Sequence, residues 1–328
     1  MKLPGAAILV SRGTRVLQAA PVAYPFRRGN ADVNDMGRLC ILPCLDSDEL
    51  ATARRQELDI PRELAAALGR SAVDAARKGH YVTRNGQRVD WGREARLACS
   101  AKVSIPPAAA LPSPHPVSFA ETRTQVTNET TLGAARRFVS EGLRPLALNF
   151  ANGVSPGGGF LGGARAQEEV LCRSSALFQT LVGDPMYDEH RRNSPAASTD
   201  WVIYSPDVPV FRSDEGTELE VPWPLSFLTC AAPYAPDIGQ PEAGNLLQQR
   251  IGRVLAVARA YGHRALVLGA WGCGAFANDP SRTAADFRNA LEGEFAGAFS
   301  DIVFAITDWS PERRFLGPFR RVFAPTGE

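Results

Sequence analysis

The chain has 328 residues, which is enough for one large domain or two ordinary ones, and its 45% hydrophobic and 22% charged residues predict a packed globular core. A formal net charge of +1 argues against a broad nucleic-acid-binding surface, and no apolar run is long enough to span a membrane. The six cysteines are scattered and lack a second ligand pair for zinc, so we expect reduced cytoplasmic thiols and no metal. We also expect a monomer.

The part of the chain before residue 117 divides into two segments. Residues 1–45 show no clear periodicity, and their structure stays open. Residues 46–116 predict a mainly helical extension with one hairpin that turns at Asn85-Gly86, followed by a proline-rich linker. The predicted helices here are one opened by Asp46 and Glu49, one opened by Pro61, one over 71–78 that stops at Gly79, and one over 92–99.

From residue 117 to 328, predicted strands and helices alternate. The predicted strands are 122–127, 146–150, 201–205, 225–232, 264–268 and 302–306. The predicted helices are 130–140, 167–182, 243–261, 283–295 and 311–323, whereas the polar residues 187–198 are expected to be irregular. Such alternation is typical of an α/β domain with helices on both faces of a largely parallel sheet, and ligands of such folds bind at the carboxyl ends of strands.

A glycine-rich loop follows the strand that ends at Phe150. Asn152 comes directly after the strand, and the loop glycines are Gly157, Gly158, Gly159, Gly162 and Gly163. A helix opens near Gln167, so Glu168 and Glu169 fall in its first turn. Glycines let backbone N–H groups approach an anion, and a strand, glycine loop and helix N-terminus together are typical of a phosphate site. Helix capping would explain one of the two glutamates, whereas acid/base chemistry at a phosphate-bearing ligand would explain both.

A second glycine-rich loop, over 269–278, follows the strand 264–268. Alone it could be a tight structural turn, but paired with the first loop it predicts the opposite jaw of a pyrophosphate clamp. Cys273 lies in this loop without a histidine or basic neighbour in sequence, so packing is favoured over nucleophilic catalysis. A triad of Ser198, Ser205 and His190 lacks a nucleophile-elbow pattern, and a nicotinamide fingerprint is absent.

The two loops resemble those of the poly(ADP-ribose) glycohydrolases, in particular the bacterial, macrodomain-like branch. Gly157-Gly158-Gly159, then seven residues, then Gln167-Glu168-Glu169 carries the resemblance, together with the run Gly-Ala-Trp-Gly-Cys-Gly-Ala-Phe-Ala-Asn that starts at Gly269. The resemblance covers residues 117–328, and bacterial members also carry an N-terminal helical extension. It implies a macrodomain-like three-layer α/β/α fold with a mixed, largely parallel central sheet, and no cofactor.

The resemblance also implies a reaction and a role for each residue. Glu169 would act as acid and then as base in hydrolysis of the ribose–ribose O-glycosidic bond of poly(ADP-ribose), and Glu168 would position the ribose hydroxyls and Glu169. Asn152 and Phe276 would contact the distal ribose, and backbone amides of the second loop would hold the diphosphate. The residues expected to bind substrate are Asn152, Gly157, Gly158, Gly159, Gln167, Gly272, Cys273, Gly274, Ala275 and Phe276.

The expected partners are poly(ADP-ribose), ADP-ribosylated proteins and the product ADP-ribose, with attack from the polymer terminus, no membrane and no sequence-specific nucleic-acid binding. Two alternatives stay open: a non-catalytic ADP-ribose-binding module, and a hydrolase of mono-ADP-ribosyl protein adducts. A binding module has no use for two carboxylates beside a diphosphate, so the Gln167-Glu168-Glu169 run favours an enzyme. For adenine, the sequence offers only Phe211, Tyr234 and Asp207 as candidate contacts.

Overall fold

One mixed eight-stranded sheet organises the chain in the computed structural model, which describes residues 37–114 and 118–325. The strands are β1 (Arg38–Ile41), β2 (His80–Val82), β3 (Arg88–Asp90), β4 (Val103–Ile105), β5 (Glu121–Thr127), β6 (Pro145–Ala151), β7 (Val202–Arg212), β8 (Glu218–Ala231), β9 (Ala265–Leu268) and β10 (Asp301–Ala305). The helices are α1 (Asp48–Leu58), α2 (Arg62–Lys78), α3 (Gly92–Ala101), α4 (Thr131–Ser140), α5 (Gln167–Ser174), α6 (Leu177–Leu181), α7 (Pro185–Asn193), α8 (Ala235–Ile238), α9 (Glu242–Ala260), α10 (Pro280–Glu292) and α11 (Leu316–Val322).

The strand order is β1-β5-β10-β9-β6-β8-β7-β4, with β2 and β3 forming a separate hairpin. The first six strands of this order pair in parallel, and β7 and β4 follow with antiparallel pairing. The carboxyl ends of β5, β10, β9 and β6 therefore lie side by side at the same end of the sheet. This topology confirms the predicted mixed, largely parallel sheet.

Two separate hydrophobic clusters cover the two faces of the sheet, which makes the three layers. One cluster contains buried side chains of α2 to α7, together with the fully buried Trp91 directly before α3 and Phe211 on β7. The other contains side chains of α9, α10 and α11 and the fully buried Trp271. The helices pack their apolar stripes against the sheet from both sides, as alternating strands and helices predict. Among the described helices, none combines the length and the apolar character that a membrane crossing requires.

The described residues before 117 contribute directly to this sheet. β1 pairs with β5 at one edge, and β4 pairs with β7 at the other. The hairpin predicted around Asn85-Gly86 is confirmed, with Gly86 at a φ of 84°. The two helices predicted before and after residue 70 are one continuous helix, α2, because Gly69 continues the helix instead of ending it. That division was wrong, whereas the stop at Gly79, at a φ of 74°, is confirmed.

Two further predictions were wrong in the catalytic half. Residues 187–198 are not irregular throughout: α7 spans Pro185–Asn193, because the Asp184 side chain caps the N–H of Met186 and a proline opens the first turn. The helix predicted over 167–182 is split, because Ser175 leaves the helix and forms a bridge with Val210 of β7. The first correction depends on a local side-chain cap and the second on pairing with a distant strand, and a polar or apolar pattern reports neither.

Candidate active site

The two glycine-rich loops meet at the carboxyl ends of the parallel strands, because they follow the neighbouring strands β6 and β9. Between them lies a cavity of about 250 Å³. Its lining residues are Phe150, Ala151, Asn152, Ala166, Gln167, Glu168, Glu169, Ala232, Ala270, Trp271, Gly272, Gly274, Ala275 and Phe276. The structure thus brings both predicted carboxylates to the same cavity as the predicted second-loop residues, with the exception of Cys273.

Glu168 is a buried carboxyl that the end of β6 holds in place. Its Oε2 accepts the backbone N–H of Asn152 at 2.7 Å, and its Oε1 accepts from the Asn149 side-chain amide at 3.2 Å. Burial, with a smaller contribution from the charge of Glu169, raises the pKa of Glu168 from 4.5 to about 8, although the hydrogen bonds from Asn152 and Asn149 oppose the rise. At neutral pH this carboxyl is therefore mostly protonated.

Glu169 is oriented by one oxygen and leaves the other free. Its Oε1 accepts the backbone N–H of Gly159 at 3.0 Å. Its Oε2 is buried and has no hydrogen-bond partner among the described residues. A buried carboxyl with one oxygen fixed and the other unpaired at the wall of a cavity is arranged to exchange a proton with a bound group.

The triple glycine of the first loop places backbone against these two acids. Gly157 and Gly158 have φ values of 72° and 57°, and a methyl group on Gly158 would lie 2.4 Å from Oε1 of Glu169 and 3.1 Å from Oε2 of Glu168. The N–H of Gly158 donates to the carbonyl of Ser155, and that of Gly159 donates to Glu169. The anion that this loop meets is therefore the protein's own carboxylate.

Gln167 and Asn152 use their side chains within the protein. The Gln167 amide accepts from the Phe150 N–H at 2.9 Å and donates to the Leu148 carbonyl at 2.7 Å, which ties α5 to β6. The Asn152 Oδ1 accepts the N–H groups of Val154 and Ser155 at 3.0 and 2.9 Å, so this side chain shapes the turn after the strand. Both residues still line the cavity through their remaining surface.

The second loop supplies backbone donors that the protein leaves unused. Among the described residues, the N–H groups of Gly272, Gly274, Ala275 and Phe276 have no acceptor, whereas that of Cys273 donates to the Ala270 carbonyl at 3.1 Å. Gly272 has a φ of 76°, so the loop turns here in a conformation that favours glycine. Adjacent free N–H groups form an anion-binding concavity.

Cys273 points away from the cavity and into the core. Its thiol lies 3.5 Å from the Trp271 carbonyl and 3.6 Å from the Thr283 hydroxyl. Burial raises the pKa of Cys273 to about 12, so the thiol stays neutral, as a packing role requires. The triad considered from sequence is not assembled. Both ring nitrogens of His190 form hydrogen bonds with Gly153 and Thr199, and the Ser205 hydroxyl forms a hydrogen bond with Thr180.

A second, more apolar cavity of about 290 Å³ adjoins the first and shares Phe150, Ala166, Gln167, Ala270 and Gly274 with it. Its other lining includes Glu129 and Thr130 after β5, and Trp309 after β10. The sequence prediction missed this cavity, although polar and aromatic residues directly after two strands are a usable signal.

The candidate adenine contacts from sequence are not brought together at this cavity. Phe211 is fully buried against Trp91 and Tyr81. Asp207 pairs with Arg144, which directly precedes β6 and so lies at the amino ends of the parallel strands, away from the cavity. Tyr234 packs its ring edge against Phe276, with centroids 5.6 Å apart. Phe211 and Asp207 were therefore wrong, because alternation along β7 does not report which end of the sheet a residue occupies.

An α/β/α sheet whose strand ends hold two buried carboxyls beneath an anion-binding loop defines a macrodomain-like hydrolase. The model of the family "Microbial-type PARG, catalytic domain", where PARG is poly(ADP-ribose) glycohydrolase, matches residues 69–213. The poly(ADP-ribose) glycohydrolase of Thermomonospora curvata is 40% identical over 79% of this chain and 99% of that one, with a TM-score of 0.73. The Deinococcus radiodurans enzyme, in complex with ADP-ribose, is 46% identical over 62% of this chain and 84% of that one, with a TM-score of 0.59.

The chain therefore belongs to the microbial-type poly(ADP-ribose) glycohydrolases and is a glycoside hydrolase of poly(ADP-ribose). A search of curated proteins gave no match. The fold and the activity that the two loops implied are confirmed.

Proposed function

We propose that Glu169 is the acid and base of ribose–ribose bond hydrolysis, that Glu168 positions it, and that the enzyme works from the polymer terminus. The observation that supports this assignment is the pair of oxygens of Glu169: Oε1 is fixed by the Gly159 N–H, and Oε2 is buried and unpaired. Only one of the two glutamates has an oxygen free in this way, since both oxygens of Glu168 accept hydrogen bonds.

The reaction takes two proton transfers at one carboxyl. Protonated Glu169 gives its proton to the departing ribose oxygen as the glycosidic C–O bond breaks and its electron pair goes to that oxygen. The anomeric carbon becomes oxocarbenium-like, and water attacks it and returns a proton to Glu169. Most glycosidases divide these tasks between two separated carboxylates, whereas here adjacent residues would divide catalysis and positioning.

Glu168 supports this chemistry as a neutral neighbour. With a pKa of about 8 it carries a proton at neutral pH, so it adds little negative charge beside Glu169. Its hydrogen bonds to Asn152 and Asn149 fix it to the strand end, where its protonated oxygen would donate to a ribose hydroxyl.

The two adjoining cavities suit the two halves of ADP-ribose. The free N–H groups of Gly272, Gly274, Ala275 and Phe276 would hold the diphosphate, which places the distal ribose beside Glu169. The apolar cavity with Phe150, Trp309 and Phe315 would then hold the adenosine half. The binding of ADP-ribose by the Deinococcus radiodurans enzyme, and of the inhibitor ADP-HPD by the Thermomonospora curvata enzyme, supports this assignment.

The assignment of Glu169 is tested with an automodified polymerase as substrate. Glu169→Gln keeps the size and the Gly159 contact but cannot cycle a proton, so ADP-ribose release falls at least 100-fold while ADP-ribose binding, measured by calorimetry, is kept. Glu141→Gln, an exposed carboxyl after α4, is the control and releases ADP-ribose at the wild-type rate. Wild-type turnover by Glu169→Gln would end the acid/base assignment.

The same assay separates the proposed activity from its alternatives. Cleavage from the terminus releases ADP-ribose alone from the start, whereas internal cleavage first releases oligomers. A hydrolase of mono-ADP-ribosyl adducts would also remove the last protein-bound label, and a binding module would release nothing. The proposal predicts free ADP-ribose with a residual label on the protein.

We also propose that the enzyme is a cytoplasmic monomer whose catalytic and substrate-binding residues lie within 117–328, in a sheet that β1 and β4 of the preceding segment complete. All six cysteines are free thiols in the described chain, which supports a reducing compartment. Light scattering of the purified chain tests the monomer.

A further inference from the structure

A buried arginine that the mechanism above does not use lies one helical turn after Glu169. Arg173 is on α5, four residues from Glu169, so the two side chains lie on the same face of the helix. Arg173 is 1% exposed, and its Nε, Nη1 and Nη2 have no hydrogen-bond partner among the described residues. A guanidinium is always charged, and burying it unpaired is costly, so its position calls for a partner charge.

Two buried carboxyls supply that charge. Asp214, which follows β7, is 5% exposed; its Oδ2 accepts from the Thr130 hydroxyl at 2.6 Å, and its Oδ1 has no partner in the described part of the chain. Burial lowers the pKa of Arg173, and the charges of Asp214 and then Glu169 oppose that effect. Arg173 thus has three unpaired nitrogen donors within reach of the charges of two carboxyls, and Asp214 and Glu169 each keep one unpaired oxygen, which in Glu169 is Oε2.

We propose that Arg173 is a positioning residue that acts as the fixed counter-charge of Glu169, and that Asp214 tunes it by competing for the same guanidinium. This inference rests on the acid/base role proposed for Glu169. When Glu169 gives its proton to the ribose oxygen, its new negative charge forms one helical turn from the positive charge of Arg173, and both side chains are buried, so the attraction is strong. Arg173 thereby stabilises the carboxylate that proton transfer leaves behind, and Asp214 weakens that effect by drawing on the same guanidinium.

Other charged or titratable groups also face this cluster, so the effect of each variant is read against them. They are Glu168 and Cys172 on α5, Tyr187 on α7, Arg165 in the first loop, Arg212 on β7, Glu215 after it, and Arg54 and Glu57 on α1. The charge of Glu169 acts on Glu168, so the two carboxyls titrate as a coupled pair, and the pH limb of each variant is compared with the limb of the wild-type pair.

The two residues make predictions of opposite sign for the pH profile of kcat/KM. The limb that falls at high pH reports loss of the essential proton from the free enzyme. Arg173→Met removes the counter-charge, disfavours the ionised form of Glu169, and moves this limb up by about one pH unit. Asp214→Asn leaves the guanidinium to Glu169 alone and moves the limb down. Arg173→Lys keeps the charge and returns the limb to within a few tenths of a unit of wild type.

Controls separate an electrostatic effect from loss of structure. Arg250 is equally buried on α9 but donates to the carbonyls of Ala231 and Ala197, so Arg250→Met lowers stability without moving the limb. If Arg173→Met does not fold, the double variant Arg173→Met/Asp214→Asn, which removes both charges, carries the test and must also move the limb up. Thermal unfolding and ADP-ribose calorimetry are measured on every variant.

The inference is overturned if the limb stays in place in folded Arg173→Met and Asp214→Asn, or if both move it in the same direction. If Glu169→Gln is inactive but the limb does not move in Arg173→Met or Asp214→Asn, the counter-charge role is wrong and the proposed function stands. Full activity of Glu169→Gln would instead end the proposed function, whatever the limb does.

Discussion

At the residue scale, two neighbouring glutamates have different surroundings within one helical turn. Glu168 has both oxygens occupied, whereas Glu169 has one oxygen bound and one unpaired. The difference comes from Gly158 and Gly159, whose backbone lies directly against both carboxyls. A loop of small residues here sets the division of roles between two chemically identical side chains.

Gly158→Ala tests this arrangement. The methyl group would lie 2.4 Å from Oε1 of Glu169, and a φ of 57° strains any residue with a side chain. We expect kcat to fall at least 100-fold and stability to fall by about 1–2 kcal/mol. The control is Gly142→Ala, also at a positive φ of 81° but with nothing within 4 Å, which loses similar stability and keeps wild-type kcat. Equal kcat for the two variants would show that Gly158 acts only on folding.

The sequence predicted the site well where the residues are close along the chain. The spacing of the triple glycine from Gln167-Glu168-Glu169 was enough to find both carboxyls. It did not find the apolar cavity: Glu129 follows β5 and Trp309 follows β10, and the strand order is what shows that β10 pairs with β5. Residues that meet through the sheet are invisible to local spacing.

At the element scale, α2 braces the catalytic loop. Arg62 donates to the Gly162 carbonyl at 2.8 Å, and a methyl group on Gly163 would lie 2.2 Å from the Arg62 carbonyl oxygen. Gly69 lets the helix approach the loop, since its own methyl would lie 2.8 Å from the carbonyl oxygen of Phe160. The extension before residue 117 is thus in direct contact with the loop that carries the carboxyls.

Gly69→Ala tests the brace. Alanine in a helix interior normally stabilises by about 0.5–1 kcal/mol, but here the contact with backbone pushes the loop away. We expect a loss of about 1–3 kcal/mol and a roughly tenfold fall in kcat. Gly252→Ala in α9 is the matched control, with no atom within 4 Å, and gains stability without a change in kcat. If Gly69→Ala and Gly252→Ala raise the free energy of unfolding equally in denaturant, α2 does not brace the loop.

Glycine explains one of the element-scale errors as well. The sequence analysis predicted one helix opened by Pro61 and another over 71–78, whereas α2 runs through Gly69 without a break, because this glycine packs against the backbone of Phe160. The strand β4 has three residues and no pattern of its own, and it forms because β7 offers an edge to pair with. In both cases a tertiary contact determines the secondary structure, and no local sequence pattern indicates that contact.

At the scale of the whole molecule, the active site costs stability. The pKa of Glu168 is about 8 in the folded protein and near 4.5 when exposed. The folded state therefore holds a proton that the unfolded state releases, and this contribution is complete below about pH 4.5 and lost as the pH rises through about 8. Wild-type stability should fall across that window for this reason.

Glu168→Gln removes this titration. Between pH 5 and pH 9, the free energy of unfolding of the wild type should fall more than that of Glu168→Gln by on the order of 2–4 kcal/mol. Urea unfolding of both proteins at several pH values measures the difference, in which all other titrations cancel. Parallel curves would mean that Glu168 is ionised at neutral pH.

The strand order has a consequence for how the chain is made on the ribosome. β10 is synthesised last among the strands, yet it lies between β5 and β9. A nascent chain that has not released residues 301–305 exposes bare edges on both of those strands, and such edges recruit other chains. Translation must therefore deliver the chain through residue 305 before these two strand edges are covered, which gives holding chaperones a defined window in which to act.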